Sequence, residues 1–405
     1  MIEKYSPRYS DSSLNMKSSV IRELLKFTEK PGMISFAGGL PGPEAFPVEE
    51  IKSILNSVIE KYGSAPLQYG TTEGLFPLRE EISRLMYDVY ETEVSPDSII
   101  VTSGSQQALY LLCKVLLNRG DAVITENPTY TGALSTFNSF MADIYCADID
   151  ERGMTPESLI AVIEELRSRG IKPAFIYTMP AVHNPAGVSM DAERKWDIYR
   201  IALKYDLLIV EDDPYGMINY DGEPVIPVKY FDSGDRVVYL GSFSKILSPG
   251  LRTGWMAAGS DIIRRCSIAK QGEDLCSGTL SQYAIYSFLS ENLLPDRINR
   301  IREIYRCKRD LMADSIDAAV PGAEYLKPEG GLFLWVRLPS QVDAEAMLPK
   351  ALERQVAYVA GNAFYPHGGG RNELRLNFTY ASKDDITEGI RRLGEVVTEE
   401  ITMWS

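Results

Sequence analysis

The feature that most restricts the fold of this chain is a repeated alternation of short, unbroken apolar runs with longer stretches of helical period. Apolar runs stand at residues 122–125, 174–178, 207–210, 237–240 and 255–258, each bounded by turn-forming residues. They are continuous rather than alternating, which is the pattern of strands buried on both faces. Residues 47–62 place Ile51, Ile54, Leu55, Val58, Ile59 and Tyr62 on one helical face, with Pro47, Glu49 and Glu50 suited to its start. A second helix is predicted after Gly104, where Ala108, Leu109, Leu112, Leu116 and Leu117 keep the period and Gly120 is the stop signal. A third spans 192–205, with Trp196, Tyr199 and Ala202 on one side. Strands alternating with helices imply crossover connections and a mainly parallel sheet, an α/β fold.

The texture changes after about residue 290. A charged helix over 296–319 is followed by an apolar run at 332–338, a glycine turn at 368–370, a second run at 374–379 and a final helix. We expect a large parallel-sheet domain over 45–290. A smaller α+β domain is expected to combine 1–44 with 291–405. The chain has 42 Lys+Arg against 56 Asp+Glu, a balance of −14, which argues against a nucleic-acid partner. No stretch approaches the run of about 18 apolar residues that a membrane span needs, and the first residues lack the apolar core of a signal peptide. A cytoplasmic protein is expected. Cys113, Cys146, Cys266, Cys276 and Cys307 form no C-x-x-C pair and read as reduced thiols. With His183 and His367 the only histidines, no metal site is expected, and acid–base chemistry must rest on another residue type.

The segment Gly241-Ser-Phe-Ser-Lys-Ile-Leu-Ser-Pro-Gly-Leu-Arg-Thr-Gly-Trp255 follows an apolar strand, so Lys245 falls at the strand's C-terminal mouth, where open α/β sheets bind ligands. Ser242, Ser244 and Arg252 surround it with hydroxyls and a fixed cation suited to phosphate. A lysine so placed could form a Schiff base with a phosphorylated aldehyde cofactor; the plain alternative is a solvated loop lysine. Ser242-Phe-Ser-Lys245 also fits the S-x-x-K of penicillin-binding enzymes, but S-D-N and K-T-G are absent from the sequence.

Four further segments bear on this reading. Val101-Thr-Ser-Gly-Ser-Gln-Gln-Ala-Leu109 is a strand–turn–helix junction whose first amides can cradle a phosphate, or whose serine merely caps a helix. Ile209-Val-Glu-Asp-Asp-Pro-Tyr-Gly216 ends an apolar run in three carboxylates, among which Asp212 is the choice to accept a pyridinium N–H. A turn of solvated acids is the alternative there. In Met179-Pro-Ala-Val-His-Asn-Pro-Ala-Gly187, Asn184 can donate to a cofactor oxygen and His183 reads as structural, although Asn-Pro is also a common turn. Glu373-Leu-Arg-Leu-Asn-Phe-Thr379 puts Arg375 inside an apolar run, where it needs an anion: a substrate α-carboxylate or an internal salt bridge.

Together these segments, from Ile34-Ser-Phe-Ala-Gly-Gly-Leu-Pro41 to Arg375, resemble the fold-type I, class I/II aminotransferases that use pyridoxal 5′-phosphate, and most nearly the 2-aminoadipate and kynurenine aminotransferases. The resemblance implies the aspartate aminotransferase-like fold, with Lys245 as the Schiff-base lysine and Asp212 as partner of the pyridine nitrogen. Asn184 and Tyr215 would bond the phenolic oxygen, and Tyr130, in Asn127-Pro-Thr-Tyr-Thr-Gly132, would stack on the ring. Ser105, Gln106, Ser242, Ser244 and Arg252 would hold the phosphate. Tyr69, in Gln68-Tyr-Gly-Thr-Thr-Glu-Gly74, would reach the phosphate of a neighbouring subunit, which implies a homodimer. Arg375, Asn184 and Gly39 would meet the substrate, and Arg22 would pair with a distal carboxylate or remain a surface arginine. Asn184-Pro-Ala-Gly187 departs from the family's Asn-Pro-Thr-Gly by one hydroxyl.

The activity so implied is ping-pong transfer of an amino group between an L-amino acid (2-aminoadipate, aromatic or branched-chain) and a 2-oxo acid such as 2-oxoglutarate. A β-eliminating lyase of the same fold would keep nearly all these residues. A regulator with an aminotransferase-like domain needs a basic winged-helix segment, which is not expected here. A nucleotide-binding protein lacks its glycine motifs.

Overall fold

The computed structural model describes residues 8–16, 24 and 31–403. Strand β1 (Ile34–Ser35) is followed by β2 (Ile99–Thr102), β3 (Ala122–Asn127), β4 (Asp143–Asp150), β5 (Gly153–Met154), β6 (Phe175–Thr178), β7 (Leu208–Asp213), β8 (Val237–Ser242) and β9 (Gly254–Ala257). Among the described residues, β2 to β9 make one sheet in the order β2-β9-β8-β7-β6-β3-β4-β5. The neighbours from β8 through β4 run parallel, whereas β9 is antiparallel to both β2 and β8.

The unbroken apolar runs are explained by the two cores that this sheet separates. Val123, Phe175, Val210 and Val238 join Leu109, Leu112 and Ile263 on one side. Their neighbours Ile124, Ile176, Ile209 and Val237 join Ile163, Ile198 and Ala202 on the other. Successive side chains on a strand point to opposite faces, so a strand covered on both sides has no polar face to show.

Several expectations change in detail. The helix Val48–Tyr62 forms, and it buries Ile54 and Val58 while leaving Ile59 exposed. The helix Ser105–Leu116 ends before Gly120. In Ala192–Tyr205, Tyr199 and Ala202 are buried, but Trp196 is exposed and packs on the rings of Tyr199 and Phe231. Strand β7 continues through all three acids, which are buried rather than solvated in a turn.

Strands β10 (Glu324–Tyr325), β11 (Phe333–Arg337), β12 (Val356–Ala357), β13 (Val359–Ala360) and β14 (Glu373–Asn377) complete the set. An antiparallel sheet has the order β10-β11-β14-β13, and β1 pairs in parallel with β12. Helices Leu294–Ala319 and Lys383–Met403 pack together beside it. The segment around Phe36 returns to this region, because Phe36 N–H donates to Ala357 O at 2.8 Å and Asn377 N–H to Phe36 O at 2.8 Å. All three glycines at 368–370 have positive φ, which makes that turn a place where side chains are costly.

Candidate active site

The parallel strands β3, β6, β7 and β8 all end at one edge of the large sheet, and the loops beyond them supply the site. Lys245 follows β8. Its Nζ donates to Gly39 O at 2.7 Å, and burial together with the nearby Arg375 and Arg252 guanidiniums lowers its pKa to about 8. A share of the amine is therefore neutral at ordinary pH, when an exposed lysine would be almost wholly charged.

Asp212 lies near the end of β7. Tyr177, on β6, donates its hydroxyl to Asp212 Oδ2 at 2.8 Å, whereas the buried Oδ1 has no partner among the described residues. Burial pushes the carboxyl up to about 7, opposed by the Tyr177 and Ser105 hydroxyls. Such an oxygen calls for a donor or a cation, because an unmatched buried carboxylate costs several kcal/mol. A protonated ring nitrogen meets that demand.

The turn between β2 and the helix Ser105–Leu116 brings the first free amides of a helix to the same edge. Gly104, at φ +83°, makes the turn. Arg252 is beside it, with Nη2 donating to Ser103 O at 2.9 Å. Ser242 and Ser244 are buried nearby in sequence, and Ser242 Oγ accepts from Ser244 N–H at 3.1 Å. The side chain of Gln106 points elsewhere, to Thr136 Oγ1 at 2.7 Å and Gly132 O at 3.2 Å, so only its backbone amide is available to an anion.

Tyr130 caps the helix Thr131–Ser139, and its ring folds back over Gly132, where an added Cβ would sit 2.4 Å from Cζ. It stands near both Arg375 and Tyr215. Tyr215 is buried edge-on to Phe333 at 6.3 Å between centroids, and burial raises its pKa.

Arg375, on β14, is only 1% exposed. Its Nη1 donates to Asn184 Oδ1 at 2.8 Å and its Nη2 to Ala37 O at 2.9 Å, while the buried Nε has no partner among the described residues. Among those residues no carboxylate pairs with it either, so the internal salt bridge is not formed. The guanidinium instead lies 3.9 Å from the Phe333 ring centroid and 5.0 Å from that of Phe364. Burial lowers its pKa to about 10. His183 supports the Asn184 loop: Nδ1 accepts from Ala186 N–H at 3.2 Å, and Nε2 lies 3.2 Å from Glu126 Oε2.

Thus Lys245, Asp212, Tyr215, Asn184, Arg375, Tyr130, Ser105, Arg252 and Gly39 converge on one region. Tyr69 does not join them within the chain; it is 78% exposed. Arg22 lies outside the described residues. Sequence reasoning missed Tyr177, Phe333 and Phe364. Only Tyr177 left a usable signal, since it sits on a parallel strand next to the three acids.

Comparison with known proteins agrees with this geometry. The family described as aminotransferase class I and II matches residues 38–393. Aromatic-amino-acid aminotransferase 1 of Thermococcus litoralis is 45% identical over 398 residues, 98% of this chain and 95% of that protein. The structure of Pyrococcus horikoshii kynurenine aminotransferase in complex with PMP, with KYN as substrates and KYA as products, superposes with a TM-score of 0.94 at 44% identity and covers 99% of both chains. LysN, an alpha-aminoadipate aminotransferase from Thermus thermophilus complexed with N-(5′-phosphopyridoxyl)-L-leucine, gives a TM-score of 0.91 at 34% identity over 98% of this chain and 99% of that one. The sheet order, the lysine after β8 and the extent of these matches lead to one conclusion: the chain belongs to the class I and II aminotransferase family.

Proposed function

We propose that this protein moves the amino group of an L-amino acid to a 2-oxo acid, with pyridoxal 5′-phosphate held at the C-terminal edge of the large sheet. When bound, the cofactor supplies an electron sink for the negative charge left at the substrate Cα. The observation that carries this reading is the meeting of a buried lysine, a buried carboxylate and a buried arginine, with Asp212 Oδ1 and Arg375 Nε both unmatched among the described residues.

Each residue then has a task set by its chemistry. The Ser105 and Gln106 amides, the Ser242 and Ser244 hydroxyls and Arg252 bind the phosphate. Tyr130 would cover the ring, Asp212 would keep the ring nitrogen protonated, and Asn184 with Tyr215 would bond the phenolic oxygen. Arg375 takes the substrate α-carboxylate by charge-assisted hydrogen bonds, oriented by Asn184 and Ala37 O. Lys245 would hold the cofactor, and as a neutral amine it would take the proton from the substrate Cα.

For the amino donor we propose glutamate, and for its counterpart 2-aminoadipate or an aromatic or branched-chain amino acid. The names of the relatives above support that range. We further propose a cytoplasmic homodimer. Tyr69 and Leu67 are 78% and 69% exposed, neighbouring apolar side chains that a second copy would cover. No helix among the described residues is long and apolar enough to cross a membrane. We also propose a large domain over 45–290 and a smaller one that combines 1–44 with 291–405.

The test is optical. Protein loaded with the cofactor should absorb in the visible, bleach on adding glutamate, and recover on adding a 2-oxo acid. Protein that stays colourless with added cofactor contradicts the proposal. Release of pyruvate and ammonia from a β-substituted amino acid such as a cysteine S-conjugate, without any oxo-acid acceptor, would assign the lyase reaction instead.

A further inference from the structure

Behind the phosphate-binding turn lies a polar cluster that none of the roles above uses. Its centre is the side-chain amide of Gln107. Oε1 accepts from Ser103 N–H at 2.7 Å and from Lys270 Nζ at 3.2 Å. Nε2 donates to Asp274 Oδ2 at 2.7 Å and to Glu273 Oε1 at 3.1 Å. Both acceptor positions and both donor positions of the amide are therefore filled. Lys270 is fully buried, and its Nζ lies 2.7 Å from each Asp274 oxygen, so its charge is matched where it sits.

The consequence falls on one residue, Ser103, and the two peptide units that flank it. Gln107 grips the N–H of Ser103, and Arg252 grips the carbonyl of the same residue from the other side. The next residue is Gly104, at φ +83°, followed by the Ser105 and Gln106 amides. A glycine turn has many conformations open to it, so the aim of those amides is not set by local backbone preference. A polar network with every member satisfied, anchored on the buried Lys270, favours one arrangement.

We infer that Gln107, anchored by the Lys270–Asp274 ion pair, is the positioning residue that aims the Ser103–Gln106 turn and Arg252 at the cofactor phosphate. This rests on the cofactor reading above and adds to it a part of the molecule that touches no ligand. The brace acts first on the phosphate: Lys245 and Arg375 are held by other partners, and Arg252 reaches Lys245 only through its charge.

The experiment measures the affinity of cofactor-free protein for pyridoxal 5′-phosphate and, separately, for pyridoxal, in the wild type, Gln107→Leu and Lys270→Met. Gln107→Leu leaves the Lys270–Asp274 pair intact and so preserves the fold. Both variants should lose about tenfold or more in affinity for pyridoxal 5′-phosphate while pyridoxal binding stays within about twofold. An equal loss for both ligands, or no loss for either, overturns the brace. Wild-type protein that binds neither ligand overturns the cofactor reading itself, a result the variants cannot mimic.

Discussion

The two faces of β7 carry acids of the same chemistry in opposite situations. On one face Glu211 accepts from the Val228 and Lys229 amides at 2.7 and 2.9 Å. Asp213, on the same face, accepts from the Tyr239 hydroxyl at 2.9 Å, the Tyr90 hydroxyl at 3.2 Å and the Gly216 amide at 2.6 Å. On the other face Asp212 has the Tyr177 hydroxyl, the Ser105 hydroxyl near enough to favour its ionised form, and an oxygen with no hydrogen bond among the described residues. Burial raises the pKa of all three, Glu211 and Asp212 to about 7 each. Burial and a shifted pKa therefore do not mark the functional acid. Unused hydrogen-bonding capacity does: two of these carboxylates are spent on the fold and one is kept for a ligand.

That contrast can be broken in several ways, and the largest effect is expected at the residue the site is built around. Lys245→Ala should lower transamination by about 10⁴-fold or more and abolish the visible band of the loaded protein. Near wild-type turnover would remove Lys245 from the chemistry. Arg375→Gln should raise KM for the amino acid by about 10²-fold, since charge-assisted hydrogen bonds contribute about 1.5–3 kcal/mol each. An unchanged KM would place the α-carboxylate elsewhere.

The opposite face should respond in stability. Glu211→Ala leaves two buried amides without an acceptor, a loss of about 1–3 kcal/mol for each in chemical denaturation. Its half-reaction rate with glutamate should stay within about twofold of wild type. A slowed half-reaction at full stability would erase the distinction between the faces.

Tyr177→Phe is the smallest perturbation. In the cofactor-free fold Asp212 binds its proton more tightly than in the unfolded chain, about 7 against 3.8, so its contribution to stability is full below about pH 4 and is lost as pH rises through 7. The Tyr177 hydroxyl favours the ionised form. Removing it should move the upper end of that loss to higher pH, read from stability measured across pH 4 to 8. A shift to lower pH would contradict the assigned hydrogen bond.

The legible part of this molecule was whatever had a period. Unbroken apolar runs disclosed β3, β6, β7 and β8, because a strand covered on both sides has no polar positions. Strand β4 escaped, since it lies near the sheet edge with the polar sequence Asp-Ile-Tyr-Cys-Ala-Asp-Ile-Asp. The direction of β9 escaped too; Gly-Trp-Met-Ala is as apolar as its parallel neighbours, and pairing direction leaves no mark on composition. In the site, Lys245, Asp212 and Arg375 stood out as charged residues beside or within apolar runs. Phe333 and Gln107 did not, because a phenylalanine in a strand and a glutamine in a helix are ordinary until the partners brought from distant segments are known.

The central claim is that Asp212, alone among the three acids of β7, serves the cofactor. Rapid mixing of glutamate with the cofactor-loaded Asp212→Asn and Glu211→Gln variants, followed by the decay of visible absorbance in a single turnover, tests it most directly. The account predicts decay slowed by about 10²-fold or more in Asp212→Asn with the cofactor still bound, and a near wild-type rate in Glu211→Gln. Equal rates in the two variants would contradict it.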